Sequence, residues 1–67
     1  MRYLVTLTAA NTPVLYVLDG AGLTTARDGA TRFSQSTAEW SAANVRSNAR
    51  FFGLEQYVVT VEAEVAI

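Results

Sequence analysis

Residues 36–53 read STAEWSAANVRSNARFFG, and this stretch decides the fold. Ser36 followed three positions later by Glu39 has the pattern of a capping box. In it the serine hydroxyl accepts from the Glu39 amide and the Glu39 carboxylate accepts from the Ser36 amide. Gly53 at the other end takes a left-handed conformation at little steric cost and so closes a helix. Between them Ala38, Ala42, Val45, Ala49 and Phe52 recur at steps of four and three, which is one helical face. Most of that face is small side chains, so the helix is expected to lie close against whatever it covers.

Upstream of the helix the chain reads as strands. Tyr3, Val5 and Leu7 alternate with Arg2, Leu4, Thr6 and Thr8, a period of two rich in β-favouring residues. Asn11-Thr12-Pro13 has turn chemistry, and Pro13 suits the start of a strand because it cannot donate a ladder hydrogen bond. Residues 14–18 form a continuous apolar run, expected to be hairpinned on the first strand, and Asp19-Gly20 turns the chain. Residues 22–25 are expected to add a brief strand before Asp28-Gly29 turns again. Residues 30–34 form a short extended piece anchored by Phe33.

Downstream, Leu54 sits where a contact back to the last helical turn is common. Tyr57, Val59, Val61, Ala63, Val65 and Ile67 then alternate with mostly polar residues, as in a half-buried antiparallel strand. The order strand, strand, short strand, helix, strand predicts a single α+β domain over residues 1–67. It is a small antiparallel-rich sheet with one helix packed on one face. The last strand is placed beside the first, with the hairpin partner on the other side. The expected core is Tyr3, Val5, Leu7, Phe33, Ala38, Ala42, Val45, Ala49, Phe52, Leu54, Tyr57, Val59 and Val61. Either face of the second strand fits inward, with Tyr16 and Leu18 preferred.

Composition removes several function classes. The 67 residues include no histidine and no cysteine, and the net charge is −1. Histidine is the commonest general base and metal ligand, and thiolates are the other common metal ligand. The serines and threonines therefore lack a partner to activate them, no glycine-rich phosphate loop is present, and no cofactor, metal or enzymatic activity is expected. Near-neutral charge argues against nucleic acid and against an anionic membrane. No apolar run approaches the roughly 18 residues of a membrane span, and no signal peptide is recognisable at the start of the chain. Glu62 and Glu64 share one strand face and read as solvated charges. Asp19 and Asp28 each precede glycine and read as turn residues.

What remains is surface. Trp40 lies opposite the Ala38–Ala42–Val45 face on a helical wheel, with Phe51 near it. Such aromatics favour interfaces. They also suit a role folded against the 21–29 loop or the 30–34 segment, so two readings stand. One helix cannot cover both faces of a sheet, so Leu4 and Val58, pointing away from it, are candidate contacts for a partner or a second copy. Arg46 and Arg50, one turn apart on a helix flank, complete the candidate partner-binding set. The last strand, taken over residues 55–67, would span roughly 43 Å, against about 24 Å for the helix. Val65 and Ile67 would then overhang as an edge for homodimer pairing.

The segment Asp28-Gly29-Ala30-Thr31-Arg32-Phe33, followed by Ser36-Thr37-Ala38-Glu39, resembles a type of small protein encoded by bacteriophages and prophages. In that type an opening hairpin leads to a short D-x-A-x-x-F piece, a capped alanine-rich helix and a final amphipathic strand. The resemblance implies a role in binding and blocking a host protein or defence complex, as anti-CRISPR proteins do, within the host cytoplasm. It carries over no functional residue, because the shared positions are structural. The expectation is therefore a non-enzymatic protein-interaction module of the phage-inhibitor kind. Its alternatives are a nucleic-acid-binding or nucleic-acid-mimicking accessory protein, or a homodimeric structural component.

Overall fold

A computed structural model describes residues 1–19 and 22–64. Strand β1 (Arg2–Thr8) leads into β2 (Leu15–Val17) and the short β3 (Leu23–Thr24), then a 3₁₀ turn (Arg27–Gly29), helix α1 (Gln35–Phe52) and β4 (Val58–Glu64). The four strands form one antiparallel sheet in the order β3-β2-β1-β4, with α1 packed against β1 and β4. The expected α+β architecture and strand order are the ones found. Asn11, at φ 61°, makes the β1–β2 turn in the left-handed region that asparagine tolerates better than most residues. The Asp19-Gly20 turn lies partly outside the described residues.

The helix begins two residues earlier than the capping-box pattern suggested. Ser34, not Ser36, is the N-cap, and its hydroxyl accepts from the Thr37 amide. The cause is tertiary. Phe33 exchanges two backbone hydrogen bonds with Tyr3, at 2.8 and 2.9 Å. That bridge holds Phe33 extended, so the chain turns helical immediately after it. The other end matches expectation: Gly53 has φ 68°, and its N–H donates to the Ala49 carbonyl. Ser34→Ala should lower stability by about 1 kcal/mol, the usual worth of an N-cap side chain. Ser36→Ala, on an exposed position inside the first turn, should leave the urea midpoint nearly unchanged. An effect at Ser36 as large as at Ser34 would contradict this cap.

The helix side of the sheet is the main core. Val5, Leu7, Val17, Ala38 and Ala42 are buried there, with Tyr3, Leu15, Phe33, Val45, Leu54, Tyr57, Val59 and Val61 packed around them. Two expectations are corrected. Leu15 and Val17, rather than Tyr16, face the helix, because Tyr16 pairs with Thr6 on the opposite face. Phe52 is 65% exposed. On the wheel it stays within about 20° of Val45, but it is the last residue of α1 and lines an open groove there instead of the core.

The opposite face is not open. Leu4 is completely buried and Thr6 nearly so. Segment 26–32 lies across this face, held by two arginines. Arg27 stacks on the Tyr16 ring, 5.9 Å from its centroid, and donates twice to Glu62, at 3.0 and 3.3 Å. Arg32 donates Nε and Nη2 to the two Glu64 oxygens, at 3.1 and 3.0 Å, while its Nη1 serves the carbonyls of Arg27, Asp28 and Ala30. Hydrogen bonding from Arg32 holds the Glu64 carboxyl below its ordinary pKa. Glu62 and Glu64 are therefore anchors for the covering segment rather than free solvated charges. A small second core, with Leu4 and Ala30 buried in it, results.

The last strand starts later than expected. Residues 55–57 form a turn, and β4 matches β1 residue for residue from Thr8–Val58 to Arg2–Glu64. Val65 and Ile67 lie outside the described residues.

Candidate functional site

Because α1 rests mainly on β1 and β4, it stands apart from the β3 side of the sheet beyond the buried Val17. A groove of about 580 Å³ opens there. Val17, Leu18 and Leu23 line one wall, and Thr37, Trp40, Ser41, Asn44 and Val45 line the other. Phe33 and Asp19, and Phe52 with Leu54, complete the lining. The walls are thus mainly apolar, with a few hydroxyl and amide groups along the helix. That is the usual make-up of a recognition cleft.

Trp40 belongs to this groove while remaining 69% exposed. It shares the groove's lining with Phe33 and Leu23 but is not folded away against them. Phe52 is displaced from the expected core into the same groove. Phe51 is 85% exposed on the outer side of the last helical turn and does not line it.

The other candidate residues separate. Leu4 is buried, so it offers no contact surface. Val58 is 64% exposed at the end of β4. Arg46 reaches the β4 edge, donating to the Val59 carbonyl at 2.8 Å, and Arg50 is exposed in the last turn of the helix. Arg27 and Arg32 are engaged by glutamates, and Arg46 by a backbone carbonyl. Among those residues no group of three or more acidic side chains is placed to hold a metal, and no helix is long and apolar enough to cross a membrane.

Sequence reasoning missed Leu18, Leu23 and Asn44 as site residues. The groove depends on which strands the helix covers, and that is not written in the local pattern. Comparisons of the chain with protein-family models, with curated proteins and with solved structures found no match.

Proposed function

We propose that this protein is a non-catalytic protein-binding module that receives an apolar segment of a partner protein in the groove between α1 and the β2–β3 hairpin. One observation carries the reading: Trp40, the single tryptophan, stands largely exposed at the rim of a mostly apolar groove. Keeping a tryptophan there serves no packing need, and partly exposed tryptophans beside apolar pockets are frequent binding anchors. The resemblance to small phage proteins supports a bacterial host protein as the partner and inhibition by occlusion as the outcome. The arginines are largely committed to intramolecular partners, which weighs against nucleic acid as the target.

Trp40→Ala should cost far less stability than the roughly 3–5 kcal/mol of emptying a core aromatic site. It should weaken partner binding by about 30-fold or more, the loss expected of an interface hot spot. The measurement is affinity capture from a bacterial host lysate with tagged wild type and variant, with and without nuclease. A protein retained by wild type, lost by the variant and indifferent to nuclease supports the reading. Capture that nuclease abolishes points to nucleic acid instead, and equal retention by a folded Trp40→Ala protein removes the groove from the interaction.

A further inference from the structure

The edge of the sheet away from the groove has its own logic. Both backbone groups of Tyr3 are bonded to Phe33, so Tyr3 and Ala63 form a non-hydrogen-bonded pair in the β1–β4 ladder. Alternation then makes Val5–Val61 and Leu7–Val59 pairs of the same kind. The N–H and C=O groups of Val59, Val61 and Ala63 consequently point outward from β4. The Arg46 bond to the Val59 carbonyl fits this orientation and is the one side-chain hydrogen bond to that edge among the described residues. An unpaired edge of regular antiparallel strand is a template for another strand.

We propose that this edge pairs with the same edge of a second copy, antiparallel, about a two-fold axis at Val61. Three features of the chain select this occupant and register. First, the axis brings outward-pointing residues opposite one another: Val61 meets Val61, and Val59 meets Ala63. On the other face it sets Glu62 against Thr60 and Glu64 against Val58, so no two like charges are opposed. Moving the axis to Glu62 would place two glutamates face to face, which is destabilising.

Second, the helix lies over β1 and β4, about one strand spacing from the axis. Two copies would therefore hold their helices about two spacings apart, ~10 Å, within the range of packed helices. Third, the helix flank above β4 is self-complementary. Arg46 fixes which flank this is, and Glu39, Ala43 and Arg50 share it at steps of four and three. The Arg46 guanidinium sits at the level of Val59. The axis lies two strand residues away, about 7 Å, which is four to five helical residues. The two-fold operation therefore brings Arg46 level with about residue 37 of the second copy, within one helical turn of its Glu39 and so within reach of a long arginine side chain, and the small Ala43 is the flank residue nearest the axis. Docking trades the Arg46 bond to Val59 for a strand hydrogen bond and frees the guanidinium for that carboxylate. This surface is on the opposite flank from the Trp40 groove, so the two proposals stand or fall separately.

Sedimentation equilibrium of the full chain from about 1 to 300 μM tests the pairing. The expected result is a reversible dimer whose dissociation constant lies in that range. Ala63→Pro, which removes an outward N–H at a position where an edge strand tolerates proline, should weaken it at least tenfold. Arg46→Glu should do the same, and the double exchange Glu39→Arg with Arg46→Glu should restore it. Circular dichroism confirms that each variant is folded, and the charge exchange decides the matter if Ala63→Pro is not. Trp40→Ala should leave the dimer intact. A monomer across the whole range overturns the proposal. So does a dimer indifferent to Arg46→Glu, or one that Trp40→Ala dissolves.

Discussion

Leu4→Ala should be among the most damaging single substitutions in the chain, lowering stability by about 2–5 kcal/mol. Leu4 is 0% exposed, yet it lies on the face of β1 that the helix does not touch. Its burial comes from segment 26–32, which the Arg27–Glu62 and Arg32–Glu64 pairs hold down over the sheet. Removing the leucine leaves a hole under a segment with little apolar contact of its own, so relaxation there costs the covering layer its seat. A domain of this size has a total stability of only roughly 3–10 kcal/mol, so the loss would be a large share of it. Phe51→Ala, at a side chain 85% exposed, should fall within about 0.5 kcal/mol of wild type. Urea titration of both variants checks the contrast. A loss below about 1 kcal/mol at Leu4 would mean that this face is open to solvent after all.

The parts of the fold that were legible are those with local causes. The Ala38–Ala42–Val45–Ala49 stripe, the glycine that ends the helix and the alternation of β1 and β4 each follow from neighbouring residues. The strand order follows from short connections and from the need to bury one face. The parts that were not legible are long-range. Ser34 and Ser36 both suit an N-cap, and the Phe33–Tyr3 bridge decides between them. In β2, Leu15, Tyr16 and Val17 offer an apolar side chain to either face, and the pairing of Tyr16 with Thr6 settles the choice. Glu62 and Glu64 read as solvated charges because their arginine partners lie more than thirty residues away in the chain.

The candidate site divides in the same way. That Trp40 and Phe51 fall off the inward helical face is a matter of counting residues, and both are exposed. That Trp40 borders a groove and Phe51 does not depends on the helix sitting over β1 and β4 rather than over the middle of the sheet. The same offset draws Phe52 into the groove and brings Arg46 within reach of the β4 edge. One placement of α1 thus creates both surfaces, a recess on the β2–β3 side and a flush flank on the β4 side.

That placement is set by two alanines, and enlarging one of them should disturb stability and binding together. Ala38 and Ala42 are both 0% exposed where α1 meets the sheet. Their small side chains let the helix backbone come close to β1 and β4, which a larger residue would prevent. Ala42→Leu adds three carbon atoms to a fully buried site between helix and sheet, and overpacking of this kind typically costs about 1–3 kcal/mol. The helix can accommodate the new side chain only by lifting from the sheet or shifting across it. Either movement changes the distance between Trp40 and the Leu18–Leu23 wall. The expected result is a lower urea midpoint together with weakened capture of the Trp40-dependent partner. Ser47→Leu, an exposed position on the outer side of the same helix, should leave both close to wild type. An Ala42→Leu protein with an unchanged midpoint would show that the helix does not approach the sheet as closely as its alanines allow.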